Sequence, residues 1–137
     1  MVRELVVDTS VLVKWFSDAE EVLHAEARAL EDGYTAGVLA ITVPPLAFLE
    51  LLNVAARRWR WGADRLDRMA ERLDRTGFRV QQPDLRNAAR WVSQGLSAYD
   101  ASYVALAEER RTVVVSADHR LLSVAGLLAE PLAGFRF

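Results

Sequence analysis

The chain has 137 residues, of which 52% are hydrophobic and 26% charged, with a formal net charge of −2 and no cysteine. This length suits one domain, residues 1–137, with a core of its own, and the lack of cysteine excludes a disulfide framework or a thiolate metal site. The longest apolar tract, Ala36 to Leu49, is broken by Pro44 and Pro45 and is too short to span a bilayer; Arg3 and Glu4 leave no apolar leader, so a cytoplasmic protein is expected. The charge is unevenly spread. Residues 1–50 hold three basic and nine acidic side chains, whereas residues 51–90 hold ten arginines and five acids. The basic middle is either a footprint for phosphates or a solvated helix face, and Asp64, Asp67, Glu71 and Asp74 among the arginines favour intrahelical pairing.

Leu5-Val6-Val7 is a short β-prone run that ends on Asp8, followed by the hydroxyls of Thr9 and Ser10. In open α/β sheets ligands bind beyond the carboxyl ends of the strands. Asp and Ser are also ordinary helix N-caps, so this stretch alone supports two readings. Ser10 to Phe16 forms a helix. The acids at 18–21 open a second helix, closed by Asp32-Gly33. Val38 to Val43 is a strand bounded by Gly37 and Pro44-Pro45.

A helix follows from Pro45 to about Trp59, apolar almost all round and therefore buried or covered by a partner. Glu50 lies in its middle, where a carboxylate needs a cation, a metal or water beside it. Asn53, one turn on, makes the same face polar. Trp59 and Trp61 at its end suit either the core or a partner surface. Helix 63–75, a short strand 77–80 and helix 84–94 come next. Ser97 then opens a helix with Asp100 three residues on, a capping-box pattern that competes with an inward-facing Asp100. Thr112 to Ser116 is the strongest strand signal, and Asp118 follows it, either as a cap for helix 120–124 or as a second acid at a strand's carboxyl end. Residues 127–137 add a last short strand.

Alternating strands and helices predict a parallel sheet of four or five strands with helices on both faces, a three-layer α/β fold. Asp8 and Asp118 then share one sheet edge. The helix begun near Asp100 runs antiparallel to the following strand, so its N-terminus returns to that edge. With Glu50 this makes four carboxylates and no His or Cys ligand, a donor set that selects Mg²⁺ or Mn²⁺ and suits phosphodiester hydrolysis. His24 and His119 suit surface or capping roles.

Val7-Asp8-Thr9-Ser10, Glu50 with Asn53, Tyr99 to Ala107 and Ser116-Ala117-Asp118-His119-Arg120-Leu121 together resemble the PIN domain, and within it the VapC-type ribonuclease toxins. The resemblance spans the chain. It implies a Mg²⁺- or Mn²⁺-dependent endoribonuclease acting on RNA, usually a homodimer, inhibited by a cognate VapB-type antitoxin. Asp8 and Asp100 would be the main metal ligands; Glu50 and Asp118 would complete the pocket, and Thr9 or Ser10 would hydrogen-bond nearby. Ser116 stands where the family commonly has Thr. Two rivals remain: a phosphoacceptor receiver domain, whose acidic pair and late Lys are missing here, and a PIN fold used only as a scaffold.

Overall fold

Leu5, Val6 and Val7 are wholly buried one after another, which only a strand covered on both faces allows. They lie in the central strand of a computed structural model that describes all residues, 1–137. Strands β1 (Arg3–Val7), β2 (Leu39–Val43), β3 (Arg79–Val80), β4 (Val114–Ser116) and β5 (Ala129–Pro131) pair in parallel throughout, in the order β3-β2-β1-β4-β5. Seven helices surround them: α1 (Thr9–Phe16), α2 (His24–Thr35), α3 (Leu46–Arg57), α4 (Ala63–Asp74), α5 (Leu85–Ser93), α6 (Ala98–Glu109) and α7 (His119–Ala125).

The chain winds outward from β1 to β3, then crosses back to β4 and β5. Right-handed crossovers put α1 to α4 on one face and α5 to α7 on the other, the three layers expected. The two windings part between β1 and β4. Such a switch point opens a crevice at the carboxyl ends of the flanking strands, and here those ends carry Asp8 and Ser116. Helix α6 packs over β1 and β4 with residues 101–107 all buried. Its C-terminal end is anchored by Arg110, whose Nε and Nη2 donate to the two Glu4 oxygens of β1 (2.6 and 2.7 Å) while Thr42 of β2 donates to the same carboxylate (3.2 Å).

Several boundaries differ from the sequence expectation. The acids at 18–21 do not open α2, which starts at His24; Leu23 before it has φ 62°, a left-handed conformation no helix accommodates. Asp18 and Glu21 instead pair with Arg65 and Arg58. Nor does Gly33 end α2, because it is a close-packing point: a Cβ there would lie 2.7 Å from the Phe137 ring and 3.1 Å from Leu39 Cδ1. The helix stops at Thr35, before Gly37 at φ 80°. The arginines of 51–90 make no ion pair with Asp64, Asp67, Glu71 or Asp74; Arg58, Arg65 and Arg72 reach Glu21, Asp18 and Glu31 of the acidic first segment. Trp59 and Trp61 lean on each other (5.1 Å between centroids) as half-buried rings against the core. No helix is long and apolar enough to cross a membrane.

Helix α3 is not apolar-buried all round either. Ala47, Leu51 and Ala55 are fully buried, but Leu49 is 70% exposed. Leu51→Ala is therefore expected to destabilise the fold by about 2–5 kcal/mol through lost burial and an unfilled cavity, whereas Leu49→Ala should change stability by less than about 0.5 kcal/mol. Urea unfolding of the two variants checks this; similar losses at both positions would contradict a one-sided helix.

Candidate active site

The sheet edge at the switch point gathers the acids from separate elements. Asp8 follows β1 directly and occupies the N-cap position of α1, yet its side chain caps nothing. The residue is only 4% exposed. Oδ2 accepts hydrogen bonds from Ser10 Oγ and Ser116 Oγ, both at 2.8 Å. Those hydroxyls are themselves positioned, since Ser10 Oγ accepts from Ala117 N (3.0 Å) and Ser116 Oγ from Asp118 N (3.0 Å). Oδ1 accepts no hydrogen bond from the protein. Burial pushes the Asp8 carboxyl up to about 6, the two serines oppose the rise, and the charges of Asp100 and Glu50 reinforce it.

Asp100 begins the second half of this arrangement. Its backbone N–H donates to Ser97 Oγ (3.0 Å), one half of a capping box. The reciprocal half is absent, because no backbone N–H donates to the Asp100 carboxylate. That carboxyl is also held above its usual range, first by burial and then by the charge of Asp118, while Ser97 and Arg120 temper the effect. Asp118 is a true cap: Oδ1 accepts from Arg120 N (2.9 Å) and Leu121 N (3.0 Å), leaving Oδ2 without a protein donor. Glu50 reaches in from the middle of α3, half-buried, and Oε1 accepts from Thr9 Oγ1 (2.9 Å) and Tyr103 OH (2.7 Å). Asn53, one turn on, is exposed and forms no hydrogen bond with this group; it lines a groove with Leu49, Leu52 and Leu66. His119 is exposed, and His24 lies at the start of α2, 3.4 Å from an Arg28 nitrogen.

Two residues escape a reading of the sequence. Tyr103 is fully buried and appears as one more core aromatic in an apolar helix, with nothing to reveal that its hydroxyl meets Glu50 and Thr9. Arg120 looks like a generic first-turn residue, yet its guanidinium holds the Gly95 carbonyl (2.7 and 3.1 Å) and supplies the positive charge felt by Asp100.

No ion pair engages Asp8, Glu50, Asp100 or Asp118. Neighbouring like charges help to raise the Asp8 and Asp100 carboxyls, so these two can take up a proton or the group a hard cation. The donor chemistry fits the second: oxygen atoms only, with Asp8 Oδ1, Glu50 Oε2 and Asp118 Oδ2 uncommitted. No three of these groups are drawn together tightly enough to form a ready-made metal cluster, so a cation would have to pull the carboxylates inward.

The raised Asp8 carboxyl fixes a pH dependence for the metal-free protein. Below about pH 4 Asp8 holds its proton folded or unfolded. Between about pH 4 and 6 only the folded state holds it, so its contribution to stability falls as pH rises, and above about 6 the loss is complete. For a carboxyl lifted from its ordinary range to about 6 the full effect is about 3 kcal/mol. Asp8→Asn should therefore be more stable than the unsubstituted protein at pH 7 in EDTA, and the difference should vanish near pH 4. Urea titrations across pH 4–8 measure it; a pH-independent difference would contradict a desolvated Asp8.

The chain matches the PIN domain family model over residues 5–127. Among solved structures it is similar to PAE2754 from Pyrobaculum aerophilum, at 26% identity and a TM-score of 0.67, covering 97% of this chain and 92% of that one. FitAcB from Neisseria gonorrhoeae superposes with a TM-score of 0.70 at 14% identity, covering 96% and 99% of the two chains. VapC20 from Mycobacterium tuberculosis, a toxin that cleaves the sarcin–ricin loop, does so with a TM-score of 0.67 at 19% identity, covering 89% and 95%. No curated protein sequence matches the chain. With nearly its whole length fitting the family model, and its acids on the sheet edge where α/β folds bind ligands, the chain belongs to the PIN domain family.

Proposed function

We propose that this protein is a Mg²⁺- or Mn²⁺-dependent endoribonuclease acting as the toxin of a toxin–antitoxin pair. The observation that carries the proposal is the state of Asp8: a carboxylate only 4% exposed, at a switch point, beside two further acids and without a cationic partner. A buried charge left so is costly unless something binds there. The fold shared with the RNA-cleaving toxin VapC20 supports RNA as the substrate class.

In this reading Asp8 and Asp100 are the main ligands, with Glu50 and Asp118 completing the pocket directly or through water. A bound divalent ion would polarise a phosphoryl oxygen and lower the pKa of an attached water. The chain's own residues do the rest. Ser10 and Ser116 hold Asp8 in one orientation through Oδ2, leaving Oδ1 toward the crevice. Thr9 and Tyr103 do the same for Glu50 through Oε1. Asp118 combines the capping of α7 with a free oxygen, so the ligand and the helix start are fixed together. A cognate VapB-type antitoxin and a homodimer belong to the same reading and rest on the family resemblance.

RNA cleavage is expected in Mg²⁺ or Mn²⁺ and should cease in EDTA. Asp100→Asn should lower cleavage by more than roughly 100-fold, beyond the loss typical of a residue that only supports a ligand. The same variant should melt higher than the unsubstituted protein without metal, because one of the mutually repelling charges is gone, and gain little on adding Mn²⁺. Melting curves with and without Mn²⁺ beside a ribosomal RNA cleavage assay decide this. Undiminished cleavage in EDTA removes the metal from the mechanism. A lower metal-free midpoint with normal cleavage leaves Asp100 as a helix-start residue and the fold as a scaffold.

A further inference from the structure

Tyr103 lies in the middle of α6, wholly buried, with its ring in the core and its hydroxyl against the Glu50 carboxylate. Three oxygens meet there: Glu50 Oε1, Thr9 Oγ1 and Tyr103 OH, each within hydrogen-bonding distance of the other two. The two hydroxyls bring two protons. Either both donate to Oε1, or one donates to the other and the second donates to Oε1. In both cases Glu50 Oε1 is the acceptor at the end of the chain. Burial and the Glu50 charge drive the phenol far above its ordinary range, so it stays a neutral donor and never serves as a base.

We infer that Tyr103 is a positioning residue: with Thr9 it commits Glu50 Oε1 to hydrogen bonding and leaves only Oε2 free for a cation. The inference rests on the metal-dependent reading of the site above. It has a chemical consequence. A carboxylate with one oxygen committed offers a single ligand atom, which suits the tight octahedral demands of Mg²⁺ and Mn²⁺. Ca²⁺ readily takes both oxygens of a carboxylate at longer distances. Tyr103 and Thr9 thereby help to discriminate against Ca²⁺. The parallel with Asp8, whose Oδ2 is held by Ser10 and Ser116, supports this: two acids from two different elements each have one oxygen in contact with two hydroxyls and one that meets no protein donor.

The test uses the full chain and Mn²⁺ alone as the probe, with binding followed by calorimetry and by the Mn²⁺ electron paramagnetic resonance signal. Tyr103→Phe removes one oxygen and keeps the ring, and should weaken Mn²⁺ binding about 10- to 100-fold, as loss of a ligand's supporting hydrogen bond does. Thr9→Val should weaken it similarly, and Thr9→Ser, which keeps the hydroxyl, should restore it. Ca²⁺ should compete with Mn²⁺ more effectively in Tyr103→Phe than in the unsubstituted protein. Tyr34→Phe is the control: it deletes another tyrosine hydroxyl, bonded to the Thr76 carbonyl away from the acids, and should leave Mn²⁺ affinity unchanged. Unchanged affinity and unchanged Ca²⁺ competition in Tyr103→Phe overturn the inference. If Glu50→Gln binds Mn²⁺ normally while Asp8→Asn does not, the inference fails and the metal site stands. If the unsubstituted protein binds no Mn²⁺ at all, the functional reading and the inference fail together.

Discussion

The desolvation of the Asp8 carboxylate is the constraint on which the rest of the site depends. β1 is the central strand, buried on both faces, so whatever follows it enters low-dielectric surroundings almost at once. An acid there cannot rely on water. Two serine hydroxyls give it partial compensation, and they come from opposite sides of the switch point, one from the start of α1 and one from the end of β4. The neighbouring carboxylates then add repulsion. Burial, the larger cause, and this repulsion together lift the Asp8 carboxyl to about 6, which corresponds to about 3 kcal/mol. Set against a total stability on the order of 5–15 kcal/mol, that is a large standing cost for a small domain. It is relieved either by a proton, which the raised Asp8 carboxyl accepts near pH 6, or by a cation.

The protein does not lack positive charge with which to neutralise these acids. It carries 17 basic residues, ten of them arginines in residues 51–90. Those that form ion pairs serve the scaffold instead: Arg58, Arg65 and Arg72 bind acids of the first fifty residues, and Arg110 locks α6 to β1 through Glu4. The opposite charge balances of the two segments are thus spent on holding α3 and α4 against α2 and the loop before it. Arg120 comes nearest to the acids, and its guanidinium is tied to the Gly95 carbonyl. Four acids thus stand without an ion-pair partner in a chain rich in arginine.

Much of this was legible in the chain. The unbroken apolar runs of β1 and β4, each ending near a hydroxyl and an acid, announce a parallel sheet with its chemistry at one edge. Every strand and helix expected from the sequence exists; buried β1, β2 and β4 and the one-sided helices leave strong local patterns, whereas β3 is a two-residue exposed strand. What failed were features set by tertiary contact. Gly33 sits inside a helix because the Phe137 ring and Leu39 close in on it. The arginine pairings cross between segments about 40 residues apart, where no local rule reaches. Tyr103 was hidden for a related reason: a buried tyrosine in an apolar helix has the same sequence signature whether its hydroxyl meets a carbonyl, a water or a carboxylate. The capping alternatives at Asp8, Asp100 and Asp118 also needed coordinates. They resolve three different ways, with no cap at Asp8, half a box at Asp100 and a full cap at Asp118.

If the acids form one pocket, as proposed, a divalent ion replaces a proton on Asp8. Proton release on Mn²⁺ binding tests this directly, measured by calorimetry in buffers of differing ionisation enthalpy. With a carboxyl near 6, Asp8 is about half protonated at pH 6, so binding should expel roughly half a proton or more there, and almost none at pH 8. Binding with no proton release at pH 6 would contradict the claim, since the ion would then be held somewhere other than at the buried carboxylate.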